Sequence, residues 1–122
     1  MARILVIDDE PTVRRYFARV LDMAGHEVEV AENGREGMRK FRAHRPDLVI
    51  TDILMPESDG IETITELKQD FPDTKIIAIS GGGSVGPHGY LKAAELLGAN
   101  VVLEKPIKAT QLRAAVDEIL AI

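Results

Sequence analysis

The 122-residue chain contains no cysteine, and aromatic residues make up only 4% of it. The lack of cysteine excludes disulfides, thiolate metal sites and cysteine nucleophiles, and it fits a reducing compartment. No apolar run approaches the roughly 20 residues that a membrane span requires, and no apolar signal segment follows the first residue. We therefore expect a soluble, cytosolic protein with no membrane partner.

Basic residues are also too few to build a surface on positive charge. The chain has 15 lysines and arginines against 20 acidic residues and a net charge of -5, which argues against direct binding to nucleic acid. The histidines at 26, 44 and 88 show no metal-ligand spacing. A composition of 45% hydrophobic and 29% charged residues is typical of a globular protein, and we assign residues 1–122 to a single domain.

Short apolar runs alternate with helical patterns along the chain. The runs predict five strands, at residues 4–7, 26–30, 48–50, 75–79 and 101–103. Those at 4–7 and 48–50 are uninterrupted, as in strands buried on both faces, whereas 26–30 alternates as a half-exposed edge strand does. Five strand–helix units joined by right-handed crossovers form a parallel sheet with helices on both faces. We therefore predict an α/β fold of three layers.

The first of the five predicted helices has the clearest pattern. Glu10 and Pro11 open it, because an acidic residue suits the positive end of the helix dipole and proline fits the first turn. Helical spacing assigns an inward face to Val13, Tyr16, Phe17, Val20, Leu21 and Ala24, and an outward face to Arg14, Arg15 and Arg19. Asn33 is expected to cap the second helix, and Gly98 to end the fourth.

Polar side chains follow four of the predicted strands at the point where each strand ends. They are Asp8, Asp9, Asp52, Ser80 and Lys105. Because the carboxyl ends of parallel strands meet at one edge of a sheet, where ligands of such folds bind, these side chains should converge. A lone aspartate after a strand is more often a turn former. The convergence of several polar groups favours a functional site instead.

Three carboxylates close together repel one another unless a cation lies among them. Oxygen ligands suit a hard divalent ion that keeps several waters, so the sequence predicts Mg²⁺, with Lys105 as a second positive charge. Asp52 beside these cations is a competent nucleophile toward a phosphoryl group, and Ser80 can hydrogen-bond a phosphoryl oxygen. The predicted chemistry is phosphoryl transfer to aspartate, without turnover of an external substrate.

At these residues the sequence closely resembles the receiver domain of two-component response regulators, over essentially the whole chain. The resemblance rests on Asp8-Asp9 after the first strand, Thr51-Asp52-Ile-Leu-Met-Pro56 with Asp59-Gly60 after the third, Ser80 after the fourth and Lys105-Pro106 after the fifth. It implies a flavodoxin-like (βα)5 fold with strand order 2-1-3-4-5. It also implies a single-domain receiver that accepts a phosphoryl group from a sensor histidine kinase or histidine phosphotransfer protein and signals to a separate output protein.

The resemblance implies a role for each acidic residue. Asp52 would be the phosphoacceptor, and Asp9 and Asp52 would bind Mg²⁺ together with the backbone carbonyl of Leu54, while Asp8 would act largely through water. Because the given sequence ends just after the fifth predicted helix, we expect no output domain. A homodimer would use the face of the fourth helix, fifth strand and fifth helix.

Ser80 would be the switch hydroxyl and Lys105 the phosphate-binding lysine, and the sequence departs from the family near both. The family usually has an aromatic residue three positions before the lysine, where this chain has Val102. Five of the ten glycines fall between residues 81 and 89, and we expect a mobile loop there. With valine in place of the aromatic, activation should appear mainly as ordering of residues 81–90 and repositioning of the fourth predicted helix.

The glycine-rich loop also matches a dinucleotide-binding fingerprint. Gly81-Gly-Gly-Ser-Val-Gly86 fits G-x-G-x-x-G after a predicted strand, with Glu104 roughly 20 residues beyond. The match falls on the fourth strand–helix unit, residues 87–89 delay the helix, and the chain has no room for a substrate domain, so the receiver is favoured. A phosphatase with an Asp-x-Asp pair is the enzyme alternative, but Asp8 and Asp9 are adjacent.

Overall fold

The computed structural model of the protein describes residues 1–53, 60–80 and 98–122. Its strands and helices alternate in the order β1 (Arg3–Ile7), α1 (Pro11–Met23), β2 (Glu27–Ala31), α2 (Gly34–Ala43), β3 (Leu48–Asp52), α3 (Gly60–Asp70), β4 (Ile76–Ser80), β5 (Val101–Glu104) and α4 (Ala109–Leu120). The predicted fourth helix lies outside the described residues, so the fifth predicted helix carries the label α4.

All five strands form one parallel sheet of order β2-β1-β3-β4-β5. The predicted flavodoxin-like architecture is therefore confirmed. Every residue of β3 and β4 is buried, as their uninterrupted apolar runs predict for central strands. The edge strand β2 has only Ala31 fully buried. It begins one residue later than predicted, and Ser80 is the last residue of β4 rather than the residue after it.

Helices cover the two faces of the sheet and divide the core into two clusters. On one face, α1 and α4 pack against alternate strand residues; this cluster includes Phe17, Leu21, Leu112, Val116, Ile4, Val6, Ile50 and Ile77. On the other face, α2 and α3 do the same; this cluster includes Met38, Phe41, Ile64, Leu67, Leu5, Ile7, Val49 and Ile76. Successive side chains of a strand point to opposite faces, so each central strand contributes to both clusters.

The inward face of α1 is narrower than its sequence pattern predicts. Phe17, Val20 and Leu21 are buried, but Tyr16 is 42% exposed, and Ala24 is an exposed residue at the C-cap, beyond the last turn. The predicted inward positions of Tyr16 and Ala24 are therefore wrong. A helix on an open sheet buries only the stripe that faces the strands, and the Tyr16 ring lies beside that stripe, 5.9 Å from the ring of Phe17.

The predicted helix ends agree with the structure where it describes them. The side chain of Asn33 accepts a hydrogen bond from the backbone N–H of Glu36, which caps α2. Gly25, just after α1, has a φ angle of 92°, a backbone region that glycine enters at little cost. Gly98 has a φ angle of 114°, but the helix that it is predicted to end lies outside the described residues. None of the helices within residues 1–53, 60–80 and 98–122 is long and apolar enough to cross a membrane.

Candidate functional site

Asp52 is the last residue of β3, the central strand of the sheet, and only 4% of its surface is exposed. Its backbone is held from two sides. The Thr51 hydroxyl donates a 3.0 Å hydrogen bond to the Asp52 carbonyl oxygen, and the following N–H, that of Ile53, donates to the carbonyl of Ile79 at 2.9 Å. The carboxylate is therefore carried at the carboxyl edge on a rigid segment of backbone.

Asp8 and Asp9 follow β1 at the same edge. Asp8 is 1% exposed, and its Oδ1 accepts a 2.9 Å hydrogen bond from the Glu10 N–H. The carbonyl oxygen of Asp8 accepts a 2.7 Å hydrogen bond from Nη1 of Arg14 in α1. Arg14, expected on the outer face of the helix, is thus partly buried and fixes the turn that presents the two aspartates.

Lys105 reaches the acidic edge from the end of β5, where its backbone N–H donates to the Ser80 carbonyl at 2.8 Å and its peptide bond to Pro106 is cis. Its Nζ lies 3.0 Å from Oδ2 of Asp8 and 3.2 Å from Oδ2 of Asp52. It also lies 3.4 Å from Oε1 of Glu10. One ammonium group therefore joins carboxylates that belong to two different strands.

Burial and charge shift the pKa values of two of these groups. Burial raises the pKa of Asp8 above its ordinary value, and this effect exceeds the opposite effects of the Glu10 N–H and of Lys105. Burial alone would lower the pKa of Lys105, but the charges of Asp52 and Asp8 outweigh it, and the net pKa is raised. Lys105 consequently remains a cation, whereas ionisation of Asp8 is less favourable than that of an exposed aspartate.

The acidic edge has the ligand set of a cation site. Oxygen atoms of Asp8, Asp9, Glu10 and Asp52 all lie within 4.8 Å of one another. Oδ2 of Asp8 is buried and has no partner of hydrogen-bond geometry among the described residues, although Lys105 Nζ is close to it. Carboxylate oxygens with unused acceptor capacity suit a hard divalent ion. Glu10 was not expected in this cluster, although its position directly after Asp9 was a signal.

Ser80 is fully buried at the end of β4, the strand next to Asp52. In the register of the sheet Asp52 lies opposite Ile79 and Ser80 lies opposite Glu104, so the hydroxyl belongs to the same edge. The structure thus brings Asp8, Asp9, Asp52 and Lys105 together with Ser80 on an adjacent strand. Leu54 and the glycines from 81 to 89 lie outside the described residues.

A largely apolar groove of about 610 Å³ adjoins the site, between α1 and the segment after β5. Its lining consists of Thr12, Val13, Tyr16, Phe17, Lys105, Pro106, Ile107 and Lys108. The exposed Tyr16 therefore forms part of a concave surface that ends at the lysine of the site.

The fold and the edge together define a flavodoxin-like α/β protein with an acidic, lysine-containing site at its strand ends. The family described as response regulator receiver domain matches residues 4–117, and the chain belongs to that family. This membership favours the receiver prediction over the dinucleotide-binding and phosphatase alternatives.

Two relatives show how the chain compares in length. The chemotaxis protein CheY of Bacillus subtilis is 36% identical over 119 residues, which cover 97% of each protein. The response regulator MprA of Mycolicibacterium vanbaalenii is 35% identical over 119 residues, but the chain spans only 50% of its length. Among solved structures, a response regulator receiver domain protein from Clostridium thermocellum has a TM-score of 0.90 and 33% identity, covering 99% of this chain and 95% of that one.

Proposed function

We propose that this protein is a phosphorylatable receiver of a two-component or phosphorelay system, located in the cytoplasm. Asp52 accepts a phosphoryl group from a histidine kinase or histidine phosphotransfer protein in a Mg²⁺-dependent reaction. The observation that carries the proposal is the contact of one ammonium, that of Lys105, with both Asp52 and Asp8 at the edge of the sheet. A buried carboxylate between a lysine and a candidate cation site is suited to receive an anionic group.

The residues around Asp52 divide the reaction between them. One carboxylate oxygen of Asp52 attacks the phosphorus, the P–N bond of the phosphohistidine breaks, and the imidazole nitrogen leaves with the electron pair. Lys105 pairs with the incoming phosphoryl oxygens, and the Ser80 hydroxyl donates a hydrogen bond to one of them. Asp8, Asp9 and Asp52, with the carbonyl of Leu54, would hold Mg²⁺, which neutralises phosphoryl charge when bound.

The phosphoryl group then acts as a signal rather than as a product. Transfer of Lys105 from carboxylates to the phosphoryl group changes the contacts that join β1, β3 and β5, and a ligand that favours one of two states shifts the population toward it. The protein would signal in this way to a separate output protein, with self-phosphorylation and autodephosphorylation as its own reactions. A homodimer through the predicted fourth helix, β5 and α4 belongs to the same proposal.

Phosphorylation of the Asp52→Asn variant tests this function. Acetyl phosphate with Mg²⁺ should add one phosphoryl group to the wild-type protein, detected by intact mass, and none to the variant, because the amide keeps the shape but is not a nucleophile. Asp117→Asn, at an exposed position on α4, is the matched control and should be labelled like the wild type. Undiminished labelling of Asp52→Asn, with its circular dichroism unchanged, would place the acceptor elsewhere.

A further inference from the structure

Glu10 occupies the N-cap position of α1, yet its side chain makes no capping hydrogen bond. The short side chains preferred at this position, those of Ser, Thr, Asp and Asn, accept a bond from the second or third helical N–H, and the longer side chain of Glu10 does not. In this protein the carboxylate of Glu10 instead approaches the site, with Oε1 3.4 Å from Nζ of Lys105. It also comes within 4.8 Å of carboxylate oxygens of Asp8, Asp9 and Asp52.

This arrangement has little value for stability. The side chain of Glu10 is 61% exposed, and a solvent-exposed ion pair is worth little because water screens it. The same carboxylate lies beside three groups of like charge, which is unfavourable. Glu10 makes no capping hydrogen bond and belongs to neither core cluster, and a favourable interaction with the helix dipole does not require its side chain to approach Lys105. The consequence of that approach therefore lies in the charge of the site.

The charges of the site can be counted group by group. Among the described residues, the four carboxylates, when all are ionised, face two positive charges: the Lys105 ammonium and the Arg14 guanidinium that donates to the Asp8 carbonyl. The sum is two negative charges, and a bound divalent cation would bring it to zero. Without Glu10, the cation-loaded site would carry one net positive charge toward an approaching phosphoryl donor.

We propose that Glu10 is a specificity-determining residue that sets this charge balance. Its charge strengthens divalent-cation binding. In the cation-loaded site the same charge repels anionic donors, and its ion pair with Lys105 competes with the phosphoryl group for that ammonium. The inference rests on the proposed phosphoacceptor function. It predicts that the protein disfavours small dianionic phosphodonors relative to donors of lower charge.

Glu10→Gln separates this role from a structural one, because the amide keeps the shape of the side chain and removes its charge. By isothermal titration calorimetry at low salt, Mg²⁺ affinity should fall about threefold to tenfold, the effect expected for one charge roughly 5 Å from a divalent ion in a largely aqueous environment. At saturating Mg²⁺, the KM for acetyl phosphate should fall by a similar factor, with kcat little changed. Both effects should shrink in 0.5 M salt.

A change of donor tests the charge dependence directly. Phosphoramidate carries less negative charge than acetyl phosphate near neutral pH, so Glu10→Gln should improve its KM less. The preference for acetyl phosphate over phosphoramidate should therefore rise in the variant. Equal improvement with both donors would indicate an effect of access rather than of charge and would overturn the proposal.

Glu118→Gln is the matched control, since it removes one negative charge from an exposed position on α4. It should leave Mg²⁺ affinity and donor preference unchanged, and thermal unfolding should be the same for both variants and the wild type. If Glu10→Gln binds Mg²⁺ as tightly as the wild type, the inference is wrong. A wild-type protein that binds Mg²⁺ but is never phosphorylated would refute the proposed function instead, and calorimetry would still decide whether Glu10 strengthens the cation site.

Discussion

Gly60, the first residue of α3, should tolerate no side chain. A Cβ added there would overlap the carbonyl oxygen of Asp52 and the Cα of Ile53, and would lie 2.8 Å from the carbonyl carbon of Asp52. All three atoms belong to the backbone, which cannot rotate away as a side chain can. The Gly60 N–H also donates to the Ile53 carbonyl at 3.2 Å, so α3 starts directly against the segment that carries Asp52.

The size of the effect follows from the kind of atom that the new methyl group meets. Overpacking costs about 1–3 kcal/mol of unfolding free energy. The loss for Gly60→Ala should be at or above the upper end of that range, because α3 or the Asp52 backbone must shift. Gly37→Ala in α2 is the matched control. Its Cβ would meet side-chain atoms of Ile7, with Cγ1 at 2.8 Å, and no backbone atom is among its nearest neighbours. A gain of about 1 kcal/mol in helix propensity should offset much of that cost.

Urea unfolding followed by circular dichroism measures both free energies, and the initial rate of labelling by acetyl phosphate measures the site. Gly60→Ala should lose about 3 kcal/mol and should phosphorylate slowly even where it remains folded, because Asp52 is displaced. Gly37→Ala should lose 1 kcal/mol or less and keep its rate. A Gly60→Ala protein as stable and as reactive as the wild type would refute the close contact between α3 and the Asp52 backbone.

Three further substitutions test other parts of the site. Lys105→Ala should not weaken Mg²⁺ binding measured by calorimetry, because it removes a positive charge beside the cation site, but it should abolish the conformational response to BeF₃⁻. An unchanged response would reduce the lysine to a surface charge. Burial raises the pKa of Asp8 in the folded protein above the ordinary aspartate value of 3.8. The free energy of unfolding therefore falls as the pH rises from 3.8 through the raised pKa, because the unfolded state ionises first. Asp8→Asn without metal should therefore unfold at higher urea than the wild type at pH 7, but not below pH 3.8, and equal midpoints at pH 7 would contradict that pKa direction. Tyr16→Ala should slow phosphorylation by a protein donor but not by acetyl phosphate, because only a protein donor would contact the groove beside Lys105. Met23→Ala, at another exposed position on α1, should slow neither reaction.

Much of the fold was predictable because it depends on local pattern. Uninterrupted apolar runs such as 48–50 belong to central strands, and the alternation at 26–30 belongs to an edge, since these patterns reflect how many faces of a strand are buried. The order of the strands was not contained in that pattern. It came from the family resemblance, and it was confirmed by the pairing of β1 with β2 and β3, of β3 with β4 and of β4 with β5.

The residues of the candidate site could be predicted from the sequence in the same way, but their contacts could not. Asp8, Asp52 and Lys105 could be assigned to one edge because parallel strands end together, and the structure places Lys105 between the two carboxylates. The roles of these residues, of Ser80 and of Leu54 remain predictions, and so does the ordering of the loop at 81–89.

The sequence by itself therefore determined which residues reach the edge of the sheet, because the end of a strand is a local property of the chain. Only the tertiary structure decided which other groups these side chains contact. It made Glu10, at the N-cap of α1, a member of the acidic cluster as well, drew the partly buried Arg14 to the Asp8 carbonyl and left Tyr16 exposed. These outcomes depend on how α1 lies on the sheet relative to β5, and packing between segments distant in sequence leaves no periodic signal in either one.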